Sequence, residues 1–572
     1  MSPFFDVPIA EAIWQTKYRY TLNNKPLDST IDDTWRRVAA AATDDTDTQQ
    51  SFYAILRDFK FLPGGRILAG AGTQHDVTLF NCFVMHIKND SLASIFSALK
   101  EGALTLQEGG GVGYDFSGIR PHGDSAKKTG VIASGPVSFM KIWNTTCGIL
   151  LSTGARRGAM MGVLRCDHPD ILTFIHAKRD ALELRHFNVS VLVTDAFMQA
   201  VKADADWPLV FKSKVYQVIK ARELWTQITL NAYDYAEPGV LFIDTINRQN
   251  NLHYCERIHA TNPCGEIPLP KYGACNLGSI NLTKFVSAPF TSQAKFDFSA
   301  FENCIETATL FLDHIIDASR YPLAAQASQA LGTRRMGLGF TGLADTLMML
   351  NIRYGESQAV AWTKKISQIL CHVTWHTSAM LAKTKGSFPF YSQKEYLQGA
   401  FVQQLPRELF NAVERYGMRN SHHNTIAPAG TISLLAGNIS SGIEPIFAAQ
   451  YQRFVLTSEN ERQAFEVQDA AVRLWQQGGQ SGLPPQFVAS GDLSPDEHLN
   501  MQCAAQPYID NAISKTINLP ADFPFAQLGD VYAKAYQKGL KGCTIYRPND
   551  ITGSVLQITS PEEVVEPCQV CQ

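Results

Sequence analysis

Between Thr261 and Leu282 the sequence reads TNPCGEIPLPKYGACNLGSINL, which places Asn262, Cys264 and Glu266 at alternate positions. Alternate side chains of an extended backbone share a face, so an amide, a thiol and a carboxylate can converge there on one small molecule. Pro263 and Pro268 exclude a helix and favour a loop. Taken alone, a Cys-Gly-Glu turn is more often structural than catalytic. Its surroundings reverse those odds. Cys82 follows Phe80 and Asn81 downstream of GRILAGAGT, Cys275 lies in the dense segment itself, and Cys568 and Cys571 form a Cys-x-x-Cys close to the last residue. That last pair would alternatively make half of a zinc site, but no second Cys-x-x-Cys or His pair lies near it. We therefore expect no protein-bound metal there.

A second kind of chemistry is written in the glycine-rich segments. NTIAPAGTISLL sets Pro428, Ala429 and Gly430 before Thr431, Ile432 and Ser433, a turn leading into a helix. Backbone amides at a helix N-terminus, with hydroxyls beside them, suit an anionic phosphate, although the same pattern also serves as a plain helix cap. NDSLASIFSALKEG, GIRPHGDSAKKTG and LSTGARRGAMMG suggest another nucleotide site, while in isolation Arg156 and Arg157 are only a solvated pair.

These motifs resemble those of the ribonucleotide reductases. AsnProCysGlyGlu followed by GACNLGSINL resembles the finger-loop region of that family, and PheAsnCys at 80–82 resembles its first redox half-site. RRMGLGFTGLAD, NTIAPAGTIS, SSGIEPIFA and KGCTIYR follow in the family's order. The resemblance implies that Cys264 is a transient thiyl radical, that Cys82 and Cys275 are a dithiol oxidised to a disulfide, that Glu266 accepts a proton, and that Asn262 orients the sugar. Removal of a ribose 2′-hydroxyl needs all of these: an activated C–H bond, two reducing equivalents and proton transfer.

The resemblance also places Asn81 and the Pro428, Ala429, Gly430, Thr431, Ile432, Ser433 run against substrate, with Ala429 standing where many relatives carry threonine. It assigns Asp90 and Arg120 to the sugar and phosphates of an allosteric deoxynucleotide (dNTP or ATP), and Arg156 to a loop that senses effector and substrate base. Cys568 and Cys571 become a shuttle that passes electrons from a thioredoxin- or glutaredoxin-like donor. Tyr546 and Cys568 are 22 positions apart, up to roughly 70 Å of extended chain. The effector site implies a homodimer.

The family makes its radical in three ways. Tyr546 stands alone in KGCTIYR where a partner-subunit mechanism uses a tyrosine pair, and no glycyl-radical motif closes the sequence. The chain instead resembles the class II enzymes, which use adenosylcobalamin. In the dimeric branch that it resembles, the substrates are usually ribonucleoside diphosphates. The rival readings are the large subunit of a metal-radical (class I) reductase and a silent nucleotide-binding regulator.

Elements must hold these residues in place. About Ile9 to Phe61, helix formers and charges dominate, with Trp35, Val38 and Ala41 at helical spacing. This predicts a helical region over 1–62, with no complete nucleotide-binding cone. From Pro63, short apolar strands such as HFNVSVLV alternate with amphipathic helices, one with the face Leu92, Ile95, Phe96, Leu99, Ala103, Leu106. The alternation argues for α/β with largely parallel strands. The resemblance sharpens this to a ten-stranded barrel over 63–547, two parallel five-stranded half-sheets around a central finger loop. GGRILAGAGT, EGGGVGYDFSG and GARRGAMMG read as loops of close approach or positive φ. Residues 548–572, rich in prolines and acids, read as a mobile tail.

Composition limits the alternatives. With 50 Lys+Arg against 53 Asp+Glu, the net charge of −3 gives no field that would draw the protein to nucleic acid or an anionic membrane. Neither a leader pattern nor an apolar run of spanning length is read, which points to the cytoplasm. Twelve cysteines in that reducing setting are buried small hydrophobes or chemical thiols. Cys147, Cys166, Cys255, Cys304, Cys371, Cys503 and Cys543 are expected to be buried.

Overall fold

The computed structural model describes residues 4–124, 132–152, 156–180, 182–456 and 462–549, without the side chains at 151, 152, 156, 157, 456 and 462. After a short helical stretch over 8–18, two longer helices, α1 (Ile31–Ala42) and α2 (Thr46–Leu56), build the N-terminal region. Thr30 and Asp33 close a capping box at the start of α1, and Ile31, Thr34, Trp35, Val38, Ala39 and Ala42 face inward. Phe52 of α2 meets Phe311 edge to face at 5.1 Å, which seats the helical region on the rest of the molecule.

Twelve strands position the chemistry. In chain order they are β1 (Phe61–Pro63), β2 (Cys82–Val84), β3 (Gly111–Asp115), β4 (Met160–Arg165), β5 (Phe187–Val193), β6 (Gly239–Phe242), β7 (Ala260–Thr261), β8 (Pro268–Leu269), β9 (Ala274–Asn281), β10 (Met336–Thr341), β11 (Thr516–Asn518) and β12 (Gly542–Tyr546). Strands β2, β3, β4, β5 and β6 pair in parallel in that order, the first half-sheet. In the second half, β9 pairs in parallel with β10 and β11 with β12. The halves meet antiparallel at two seams, β9 on β2 and β12 on β6. β1 pairs antiparallel with β9 over 278–280, beyond the short contact with β2.

The ring is thin at one place. Between β10 and β11 the continuous ladder stops, and two single parallel bridges, Leu338 to Asn424 and Ile426 to Ile513, span the gap. Segment 424–426 thus takes the place of the tenth barrel strand without pairing as a full ladder. The sheet is α/β and mainly parallel, as expected, but its hydrogen-bonded path is open here.

Strand β9 is covered on both faces and buried at every residue, its polar Asn276, Ser279 and Asn281 included. Outside the sheet lie two large helix-packed cores. Inside it, Val84, Met161, Val163, Leu192, Leu241 and Leu277 of the wall surround Ile258, Ala260, Ile267 and Leu269 of the β7–β8 hairpin. The hairpin is the filling of the barrel.

The structure differs from the sequence reading in three details. GGRILAG is largely helical, and GVGYD is strand β3 rather than loop. The reason for glycine there is close approach: a Cβ at Gly113 would lie 1.9 Å from the carbonyl oxygen of Thr261 on the hairpin. Helix α3 (Leu92–Gln107) buries Ile95, Ala98, Gly102, Thr105 and Leu106, leaving Leu92 63% and Phe96 49% exposed. Packing of Tyr114 on Gly102, where a Cβ would sit 1.7 Å from the hydroxyl, selects that face over the more apolar one. Helix α4 (Pro136–Ile149) also leaves Ile142 and Ile149 exposed. Finally, Cys255 is exposed in a turn and Cys503 half-buried, whereas the other five cysteines expected in cores are buried. Among the described residues no helix is long and apolar enough to cross a membrane.

Candidate active site

The tip of the hairpin, residues 262–267, is a closed loop. Asn262 closes it by itself: its N–H donates to the Ile267 carbonyl (3.2 Å), its carbonyl accepts from Gly265 N–H (3.1 Å), and its Oδ1 accepts from Ile267 N–H (2.9 Å). Gly265 makes the turn at φ +82°. Asn262 and Glu266 therefore converge by loop closure, not by the extended alternation that the spacing suggests. The surrounding wall grips the loop from outside. Asn188 of β5 donates to the Pro263 carbonyl (2.8 Å), while Thr425 Oγ1 (2.9 Å) and Ala512 N–H (3.0 Å) both donate to the Glu266 carbonyl. Sequence reasoning missed these three positions. A polar Asn188 inside an apolar strand was the one available signal for it.

Cys82 and Cys275 are direct partners in the β2–β9 ladder. Residues opposite each other in an antiparallel pair have Cα atoms about 4.5–5.5 Å apart, inside the limit of about 7 Å for a disulfide. Both are buried thiols. The Asn262 amide nitrogen bridges the two halves of the site, lying 3.2 Å from Cys82 Sγ and 2.7 Å from Glu266 Oε1. Glu266 Oε2 and Asn81 Oδ1 are buried acceptors with no donor among the described residues. Such atoms demand donors from a ligand or water.

Burial sets the protonation states. It raises the Glu266 carboxyl to about 7, even though its backbone and Asn262 hydrogen bonds favour the anion. It also pushes both thiols up, and the Glu266 charge adds to the rise at each. At neutral pH the pair is therefore held as S–H, able to give hydrogen, while Glu266 can hold or release a proton. Cys264 is half-buried at the loop tip, and the Cβ position of neighbouring Gly265 opens onto free space.

The other predicted residues fall around this centre. Ala427 lines the interior beside the dithiol, and the chain then turns through Pro428 and Ala429 into the short helix α5 (Gly430–Leu435). Ala429 N–H donates to Ser441 Oγ (2.7 Å), and Ser433 Oγ lies 2.9 Å from Thr341 Oγ1. No described side chain caps α5, and Thr431 in its first turn is half-buried. Asp90 and Arg120 pair with each other through Arg120 Nε at 2.7 Å, with the Arg120 backbone N–H 3.2 Å from the same carboxyl. Ser152 and Arg156 pair in a short backbone ladder. The Arg156 side chain, Cys568 and Cys571 lie outside the described residues.

A protein that keeps two protonated thiols in disulfide reach, away from water and bridged to a proton-accepting carboxyl, is equipped for two-electron reduction of a buried substrate. The family comparison narrows that class. The model of the ribonucleotide reductase all-alpha domain matches residues 6–76, and that of the ribonucleotide reductase barrel domain matches 80–546. The chain belongs to the ribonucleotide reductase family. Among its relatives is a vitamin B12-dependent ribonucleoside-diphosphate reductase of Mycobacterium tuberculosis (strain ATCC 25618 / H37Rv), 36% identical over 97% of this chain and 80% of that protein. A protein of the same name from Thermoplasma acidophilum is 35% identical, over 97% of this chain and 72% of its own length. The ribonucleoside-diphosphate reductase subunit alpha of Chlamydia pneumoniae is 25% identical, over 89% of this chain and 56% of that protein.

Proposed function

We propose that this chain reduces ribonucleotides, ribonucleoside diphosphates in particular, to 2′-deoxyribonucleotides for DNA synthesis, with adenosylcobalamin as its radical source. The observation that carries the reading is the Cys82–Cys275 ladder pair bridged by Asn262 to Glu266. The two relatives named as vitamin B12-dependent, 36% and 35% identical, favour the cobalamin class over the subunit-alpha class at 25%.

Each residue has a task in this scheme. Cys264 takes a hydrogen atom from the ribose. Glu266 accepts the proton of a ribose hydroxyl, and its orphan Oε2, like Asn81 Oδ1, receives a sugar O–H that the protein leaves unmatched. Cys82 and Cys275 supply two electrons and two hydrogens as the 2′-hydroxyl leaves as water, and a disulfide forms between them. Asn262 holds the carboxyl and the Cys82 sulfur in register. When bound, adenosylcobalamin supplies the radical equivalent that removes the hydrogen from the Cys264 thiol. The half-buried position of Cys264 and the open space at Gly265 are compatible with a cofactor delivered to the loop tip.

Substrate phosphate is assigned to the 428–433 turn, and an effector deoxynucleotide to Asp90, Arg120 and Arg156. Effector binding would divert Arg120 from Asp90 toward phosphate. We assign residues 548–572 to a tail whose Cys568 and Cys571 relay electrons from a thioredoxin- or glutaredoxin-like protein in the cytoplasm. A homodimer is supported by the apolar surface that α3 and α4 leave open, Leu92, Phe96, Ile142 and Ile149. The deciding experiment mixes the chain alone with adenosylcobalamin, effector and a ribonucleoside diphosphate under anaerobic conditions. Deoxynucleotide formed without a second protein subunit supports the reading, and its absence with fully reduced protein overturns it.

A further inference from the structure

Lys541, the residue before strand β12, is buried, yet it forms no ion pair with a carboxylate among the described residues. Its Nζ instead donates to three backbone carbonyls, those of Asp510 (2.6 Å), Asn511 and, more loosely, Ile509 (3.5 Å). Burial brings the ammonium down to about 7, with the Asp510 charge opposing that shift. An ammonium in such surroundings is costly to bury and is held there by the carbonyls it satisfies.

The carbonyl of Asn511 and the N–H of Ala512 belong to one peptide group. Lys541 grips the oxygen of that group, and its nitrogen donates to the Glu266 carbonyl at 3.0 Å. A cation on the oxygen polarises the peptide and strengthens the bond made by its N–H. The Asp510 carboxylate meanwhile accepts from the N–H groups of Asn424 (2.7 Å) and His423 (2.9 Å). Thr425, next in line, places its hydroxyl 2.9 Å from the Glu266 carbonyl and 2.8 Å from that of Ala512. Lys541 thus holds the 509–511 segment, which Asp510 and Ala512 join to 423–425 at the thin place in the barrel wall, and these are the segments that hold the finger loop.

We propose that Lys541 is a positioning residue for the reaction, fixing the Glu266 backbone through the Asn511–Ala512 peptide and so setting the carboxyl and Asn262 opposite the dithiol. This rests on the catalytic reading of Glu266. Without the ammonium, the carbonyls of Asp510 and Asn511 are left buried without their donor, while that of Ile509 keeps Gln506 Nε2, and the peptide turns away from the loop.

The test uses the full chain with adenosylcobalamin and a ribonucleoside diphosphate, comparing wild type, Lys541→Met and Lys541→Gln below their unfolding temperatures. Misplacement of this kind costs on the order of tenfold to a hundredfold in rate. We expect kcat of Lys541→Met to fall by that much with little change in KM, and hydrogen exchange to speed up in the peptide covering 260–270. Lys541→Gln, which keeps two donors, should lie between it and wild type. A purely structural lysine would lower Tm and leave kcat of the folded protein unchanged, and that result for Lys541→Met overturns the proposal. If Lys541→Met does not fold, wild-type kcat and exchange in Lys541→Gln overturn it equally. Glu266→Gln in the otherwise native chain tests the underlying reading separately, since full activity there removes the role of Glu266 whatever Lys541 does.

Discussion

Replacing Asn262 with alanine separates electrostatics from sugar binding. The side chain donates to Glu266 Oε1 and to Cys82 Sγ, and accepts from Ile267 N–H. The variant loses a hydrogen bond that favours the Glu266 anion, a contribution of roughly 1.5–3 kcal/mol when one partner is charged. Since 1.36 kcal/mol corresponds to one pKa unit, the carboxyl should move up by at least about one unit from its position near 7. The sign follows from the role. In the role proposed above, with Glu266 as the base, the rate should rise with pH as the carboxyl ionises, and the midpoint of that rise should mark its pKa. In Asn262→Ala the whole ascending limb should shift to higher pH, independently of how far the maximum rate falls from poor sugar placement. Single-turnover rates of pre-reduced enzyme across neutral and alkaline pH measure it, with saturating substrate. A variant whose limb stays at the wild-type midpoint would refute the coupling of Asn262 to Glu266. A limb that persists unchanged in Glu266→Gln would refute the assignment of the titration.

Four further outcomes are expected. Cys264→Ala should abolish product and all substrate-dependent radical signal, checked by product assay and electron paramagnetic resonance after rapid freezing. Serine at Cys568 and Cys571 should give about one product per site when pre-reduced, stall with a protein reductant, and recover with a small dithiol. Normal turnover of that variant with thioredoxin would remove the tail from the relay. Gly113→Ala forces a Cβ to within 1.9 Å of the Thr261 carbonyl oxygen. Overpacking of this kind costs typically 1–3 kcal/mol, so thermal unfolding should move down and the finger loop should lose activity with it. Phe96→Asp, on the open face of α3, should shift the measured mass toward the monomer and weaken specificity regulation.

What was legible in the sequence follows from how local each signal is. The residue types at 262, 264 and 266 and the pairing chemistry of Cys82 with Cys275 could be named because a handful of side chains must be present whatever the backbone does. Their mutual placement could not be read from spacing. Extended alternation suggested one shared face, whereas Asn262 builds a closed loop with its own three hydrogen bonds and so brings Glu266 back toward it. Periodicity found helix α3 but chose its richer apolar face, because Gly102, the position that decides the packing, carries no side chain to be counted.

The least legible part is the support beneath the loop. Thr425, Ala512 and Lys541 lie far along the chain from Glu266, and one of the three, Ala512, acts through a backbone group that any residue would supply. A hydrogen bond from Ala512 N–H leaves no mark on residue type, and a lysine before a short strand ordinarily reads as solvated. Only the fold, by leaving a gap in the ladder between β10 and β11 and filling it with segments 424–426 and 509–513, makes that lysine interior and gives it carbonyls to hold. The chemistry of this site is therefore written in side chains and its geometry in the barrel seam. Substitutions at the seam should change the rate of reduction by shifting the reacting groups without altering their chemical identity.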